Sequence, residues 1–179
     1  KVSHWKIDPP DLVWSQSYGT CRKGAEHEQI VWAGLQSLLI TYLEGEVVKQ
    51  HHLDRARPVF ENHFGQPLLN EAGWQKIIDV HGGRLPIRIK ALPEGTVVIP
   101  GTPLFTVEST DPECVFLVQY LETLLSHVWY PTAVASRSRY IRKEIAKSLQ
   151  HTDGDLDGLE FMLHDFGCRG VGTMETAAL

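Results

Sequence analysis

Between Leu85 and Glu108 the chain becomes β-branched and is broken by Pro86, Pro93, Gly95, Pro100, Gly101 and Pro103. Proline fixes φ and has no N–H for a ladder, and glycine admits tight turns, so this stretch predicts short strands joined by turns. Helical spacing flanks it on both sides. Apolar residues at 31, 35, 38, 39, 42 and 43 mark an amphipathic helix over Ile30–Leu43 that Gly45 closes. Asn70 caps a helix carrying Trp74, Ile77 and Ile78, ended by Gly82 and Gly83. Asp111, Pro112 and Glu113 open another, with Phe116, Leu117, Tyr120, Leu121, Leu124 and Leu125 inward, and Tyr130-Pro131 stops it. Thr132–Leu149 follows with Ile141, Ile145 and Leu149 inward, and Arg137, Arg139, Arg142 and Lys143 read as its solvated face. Short strands set among helices place the chain in the α/β class.

Further elements are weaker. Residues 1–29 read as a polar arm with a short strand over Val13–Tyr18, after which Arg22 and Lys23 form a cationic pair. Pro58 inside the run 53–64 predicts a helix that begins near the proline, where its missing N–H costs nothing.

Composition excludes several classes. The chain has 179 residues, 42% hydrophobic and 22% charged, which is ordinary for a globular domain of core size plus a piece of another. A net charge of −5 argues against general nucleic-acid binding while leaving room for a local basic pocket that takes a phosphorylated small molecule. No apolar run reaches the roughly 20 residues that cross a bilayer, and no signal peptide is visible. Cys21, Cys114 and Cys168 are odd in number and widely spaced, so neither a disulfide framework nor a zinc site is indicated, and a reducing, cytoplasmic setting fits. His51, His52 and His63 do not share a helix face with any usefully spaced carboxylate, which argues against a metal there.

The last stretch holds the chemistry. Leu159, Phe161 and Leu163 alternate with polar or flexible residues, predicting a strand with one buried face that ends near His164. Gly167, Gly170 and Gly172 then make a loop, and Thr173 opens a helical run. That helix would be cut at Leu179 after fewer than two turns, so the chain reads as the amino-terminal part of a longer protein. Asp165-Phe166-Gly167 matches a kinase tripeptide, but no HRD loop and no glycine-rich loop precede it, and there is no P-loop or GxGxxG. The Pro93-Glu94-Gly95 turn lacks the lysine of a lipoyl-type carrier. The Phe166–Arg169 loop is left as the constellation with chemical promise.

Taken together, the opening residues Lys1–Lys6 with Pro9-Pro10, the segment Ala91–Pro100, the run Leu104–Cys114, Glu122–Leu125 with Trp129–Pro131, and Leu156–Glu160 with His164–Gly170 closely resemble the nicotinamide phosphoribosyltransferases. The related nicotinate enzymes share the Pro-Glu-Gly segment but usually carry a double-arginine loop where this chain has His164–Gly170. The resemblance implies displacement of pyrophosphate from phosphoribosyl pyrophosphate by the ring nitrogen of nicotinamide, in NAD salvage, with Mg²⁺ at the phosphates and ATP as activator. It implies that Phe166 stacks under the pyridine, that Arg169 is the catalytic arginine reaching the amide and phosphate groups, that Arg22 lines the phosphate region, and that Asp165 supports the loop. It further implies a homodimer with shared active sites, in which the second stacking aromatic precedes Lys1 in the partner. The fold it implies is an amino-terminal α/β domain over 1–152, followed over 153–179 by the first strand, loop and helix start of an irregular barrel, as in type II phosphoribosyltransferases. Two other readings stand beside it: a nicotinate phosphoribosyltransferase, and a binding module that kept the fold without chemistry.

Overall fold

The computed structural model describes residues 2–24 and 26–178. Lys1 and Leu179, the outermost residues of two stretches named in the sequence analysis, lie outside the described residues. The elements are β1 (Gln16–Thr20), β2 (Ile30–Val31), α1 (Leu35–Tyr42), α2 (Gln50–Phe64), α3 (Glu71–His81), β3 (Ile87–Ala91), β4 (Val97–Val98), β5 (Pro103–Ser109), α4 (Phe116–Tyr120), α5 (Glu122–Leu125), α6 (Trp129–Thr152) and α7 (Met174–Ala178). They form two compact units. The first takes the segments up to Thr20, Leu38–Ala91 and Pro103–His127; the second takes Cys21–Ser37, Leu92–Thr102 and the chain from Val128 onward.

In the first unit, β1, β5 and β3 make an antiparallel sheet with β5 in the centre. Gly19 lies opposite Phe105, and a Cβ at Gly19 would collide with that ring, so the close approach of β1 requires glycine. Ile77, Cys114, Phe116 and Leu117 form a buried cluster against which Trp5, Trp74, Leu85 and Ile87 pack. Asn70 caps α3 by accepting the Gly73 N–H at 3.2 Å, and Gly82 closes it at φ 57°, as the spacing predicts.

In the second unit, β2 pairs with β4, and α6 packs on β2. Trp32 is fully buried, with its Nε1 donating to the Leu92 carbonyl at 3.0 Å. The burial of a large ring is thereby obtained without an orphaned indole N–H.

Several expectations need correction. The arm strand runs Gln16–Thr20, because that segment is the one that pairs with β5. Ile30 and Val31 are strand and not helix, since β4 offers them a ladder. α2 starts at Gln50, well before Pro58, which sits inside the helix on its exposed side. The Gln75–Gln50 side-chain bond at 3.0 Å and the Arg57–Glu71 pair at 3.1 Å join α2 to α3. The helix expected from 113 to 130 is divided into a short 3-10 turn, α4, α5 and a second 3-10 turn. Tyr130-Pro131 does not stop a helix: α6 begins at Trp129 and takes Pro131 in its first turn, where no intrahelical N–H is needed. The strand expected to end near His164 is absent. Leu159–Phe161 is a 3-10 turn, and while Leu159 is buried, Phe161 is 77% exposed. Alternation of apolar residues makes a strand only where a neighbouring strand accepts the ladder, and none among the described residues does so.

Candidate ligand-binding loop and cleft

Asp165 starts the loop by folding back on it: its Oδ1 accepts the Gly167 N–H at 2.6 Å. This is the local turn that aspartate favours, and it leads into a single 3-10 turn over Gly167–Gly170. The turn brings Phe166 and Arg169 to the same side, with the Arg169 Cζ 5.8 Å from the Phe166 ring centroid. Phe166 is 69% exposed, which leaves its ring open to a flat ligand. After the loop, Thr173 caps α7 by accepting the Thr176 N–H at 3.2 Å.

On the other side of the loop lies a cleft of about 290 Å³. Ala33, Tyr130, Pro131 and Val134 line one part of it, and Asp165, Gly167, Cys168 and Val171 another. Its volume is near the lower end of small-molecule sites, and its walls are mostly apolar with a phenol, a carboxylate and a thiol among them. Neither Phe166 nor Arg169 lines it. The structure therefore brings Asp165, Phe166 and Arg169 together in one loop. Arg22 is exposed on the segment after β1, and among the described residues no hydrogen bond or ion pair joins it to that loop. The wall residues Ala33, Tyr130 and Pro131 carry no chemical signal in the sequence, since an alanine and a proline line clefts only by virtue of where the fold sets them.

A second cluster arises in the first unit, where ligand atoms of His81, Asp111 and Cys114 lie within 4.8 Å of one another. Asp111 is already engaged: Oδ1 accepts the Glu113 N–H at 2.8 Å and lies 3.4 Å from the Lys76 ammonium, and Oδ2 is 2.8 Å from His81 Nε2. Burial, together with the Asp111 carboxylate, pushes the Cys114 thiol up to about 11. Shared among the Glu113 N–H, the Lys76 ammonium and His81, the Asp111 carboxylate forms a clamp between the end of α3 and the turn before α4.

Residues 1–89 match a sequence-family model described as nicotinamide phosphoribosyltransferase, N-terminal domain. A nicotinamide phosphoribosyltransferase of Xanthomonas campestris is 44% identical over the whole of this chain, which spans 38% of that protein. The chain belongs to the nicotinamide phosphoribosyltransferase family. One of Mycoplasma genitalium is 30% identical, with 99% of this chain and 44% of the relative covered; one of Acinetobacter baylyi is 27% identical over 84% of this chain and 31% of its own length. The chain thus spans between 31% and 44% of the length of these nicotinamide phosphoribosyltransferases. The crystal structure of human nicotinic acid phosphoribosyltransferase shares the fold, with a TM-score of 0.56 at 22% identity, covering 79% of this chain and 27% of that one. The mixed helix-and-sheet architecture agrees with the α/β class expected from the family.

Proposed function

We propose that this chain supplies the amino-terminal part of a nicotinamide phosphoribosyltransferase, which joins nicotinamide to phosphoribosyl pyrophosphate and releases pyrophosphate. In that reaction a bond forms between the pyridine nitrogen and the anomeric carbon of the ribose as the carbon–oxygen bond to pyrophosphate breaks. The observation that carries the reading is the exposed Phe166 ring with the Arg169 guanidinium beside it. An aromatic face takes a flat heterocycle, and a guanidinium fork hydrogen-bonds an amide oxygen or two phosphate oxygens. Asp165 fixes the loop through Gly167, and Arg22 is assigned to the phosphate region. The family pattern of His164–Gly170 favours the amide over the acid, so nicotinate and the non-catalytic module are the outcomes to be tested against.

Magnesium would neutralise charge on the departing pyrophosphate when bound. Asp165 is the carboxylate that the cleft offers, with one oxygen already held by Gly167. That falls short of the oxygen shell a hard divalent cation requires, and nothing assigned to these residues runs through the ion. ATP enters as an activator of the full-length enzyme; the chain has no P-loop for it. A homodimer in a cytoplasmic setting, with the partner completing the stack on the pyridine, belongs to the same proposal. No helix among the described residues is long and apolar enough to cross a membrane.

The test is steady-state formation of mononucleotide by the full-length protein. Arg169→Ala is expected to lower kcat/KM roughly 10²-fold, the usual cost of one preorganised donor. An effect below twofold, or a preference for nicotinate over nicotinamide, would overturn the assignment.

A further inference from the structure

The Pro93–Gly95 turn takes no part in the chemistry proposed for the loop, yet it holds the facing wall of the cleft. Glu94 Oε2 accepts the Gly34 N–H at 3.0 Å and Oε1 accepts the Gln36 N–H at 2.6 Å. These N–H groups belong to the start of α1, where a helix leaves its first donors unpaired and favours negative charge. The same turn is bound to Trp32 by three more contacts. Trp32 Nε1 donates to the Leu92 carbonyl at 3.0 Å, Trp32 N–H to the Thr96 carbonyl at 3.0 Å, and Gly95 N–H to the Trp32 carbonyl at 2.8 Å. From α6, Thr132 Oγ1 donates to the Ala33 carbonyl at 3.0 Å, and Ser136 Oγ accepts the Val31 N–H at 2.8 Å. Gly34 has a φ of 98°, and a Cβ there would collide with the Pro131 ring. Ala33 and Pro131 are the two wall residues that this arrangement sets in place, and they line the cleft together with Asp165, Gly167 and Cys168.

We infer that Glu94 is a positioning residue: by holding the 33–36 turn through two backbone N–H groups, its carboxylate sets the Ala33–Pro131 wall, which backs the Asp165–Cys168 part of the loop and thereby sets the affinity of that loop for the pyridine substrate. The inference rests on the ligand role proposed for the Phe166–Arg169 loop, whose Asp165, Gly167 and Cys168 form the side of the cleft opposite Ala33 and Pro131. A glutamate that merely caps α1 would affect residues 33–38 and nothing across the cleft. A positioning residue affects the opposite side as well, because the wall and the loop enclose one space.

Glu94→Ala and Glu94→Gln separate these cases, the amide keeping one acceptor where the methyl keeps none. In the full-length protein, amide hydrogen exchange of Glu94→Ala is expected to rise at Gly34 and Gln36 and also at Gly167, Cys168 and Val171, and Glu94→Gln is expected to reverse most of the change. In the full-length enzyme, Glu94→Ala is expected to raise KM for nicotinamide at least fivefold with kcat within twofold, again with partial recovery in Glu94→Gln. Perturbation confined to residues 33–38, or an unchanged KM, overturns the inference. A wild-type full-length protein that makes no mononucleotide defeats the proposed function alone, and the amide pattern still decides whether Glu94 sets the wall.

Discussion

The three cysteines differ so much in surroundings that they report on local structure one residue at a time. Cys114 is 0% exposed, and its thiol is pushed up to about 11 by burial and by the neighbouring Asp111 carboxylate. Cys21 is half-buried, and burial raises its thiol as well. Cys168 is exposed on the loop. The thiolate is the reacting form, so a thiol reagent at pH 8 should label Cys168 first, Cys21 more slowly, and Cys114 only when the protein unfolds. Native labelling of Cys114 at the rate of Cys168 would contradict the packing of the Ile77–Leu117 cluster. The sequence shows that these thiols are too far apart to suggest a framework, but spacing along the chain says nothing about which of them is covered. Phe161 is the converse case: its place in an alternating run predicts burial, and it is exposed because no strand pairs with that run.

At the scale of elements, Asp111 joins α3 to the turn before α4 and at the same time caps that turn. Burial by itself would raise its carboxyl; the Glu113 N–H, His81 and Lys76 outweigh this and hold it below its ordinary value of 3.8. A carboxyl depressed in the folded state contributes stability that is fully present above the unfolded value and is lost as pH falls through the folded one. The Tm difference between wild type and Asp111→Asn is therefore expected to be largest near neutrality and to shrink as pH falls below about 4, the region of the ordinary carboxylate value. Asp111→Ala should cost about 1 kcal/mol from the lost cap alone in chemical denaturation. A pH-independent Tm difference would show that the carboxylate is not charged in this clamp. The capping role is legible in the order Asp111-Pro112-Glu113, which the structure reproduces with Asp111 accepting from Glu113 N–H. Its partners His81 and Lys76 are not, since they lie on a helix about 30 residues earlier.

At the scale of the whole molecule, the chain covers 38% of the length of its 44%-identical relative, and Asp165, Phe166 and Arg169 sit in a single loop near one end of it. Positioning a sugar phosphate and a leaving pyrophosphate takes cations from several directions, and the described loop supplies one arginine. The 179-residue chain by itself is accordingly expected to form no mononucleotide in an assay where the full-length protein does so; turnover by the short chain would remove the reading that it is a part of the enzyme. What the sequence by itself determined is the class of the fold, the family, the caps at Asn70 and Asp111, and the close of α3 at Gly82. Each of these depends on neighbours a few positions away or on motifs read in order. Only the tertiary structure decided which short runs became strands, that Pro58 lies within a helix, and that Glu94 and α6 build the far wall of the cleft. Those outcomes rest on bonds between residues 14 to 105 positions apart, from Arg57 to Glu71 up to Ser136 to Val31, whose partners no local spacing specifies.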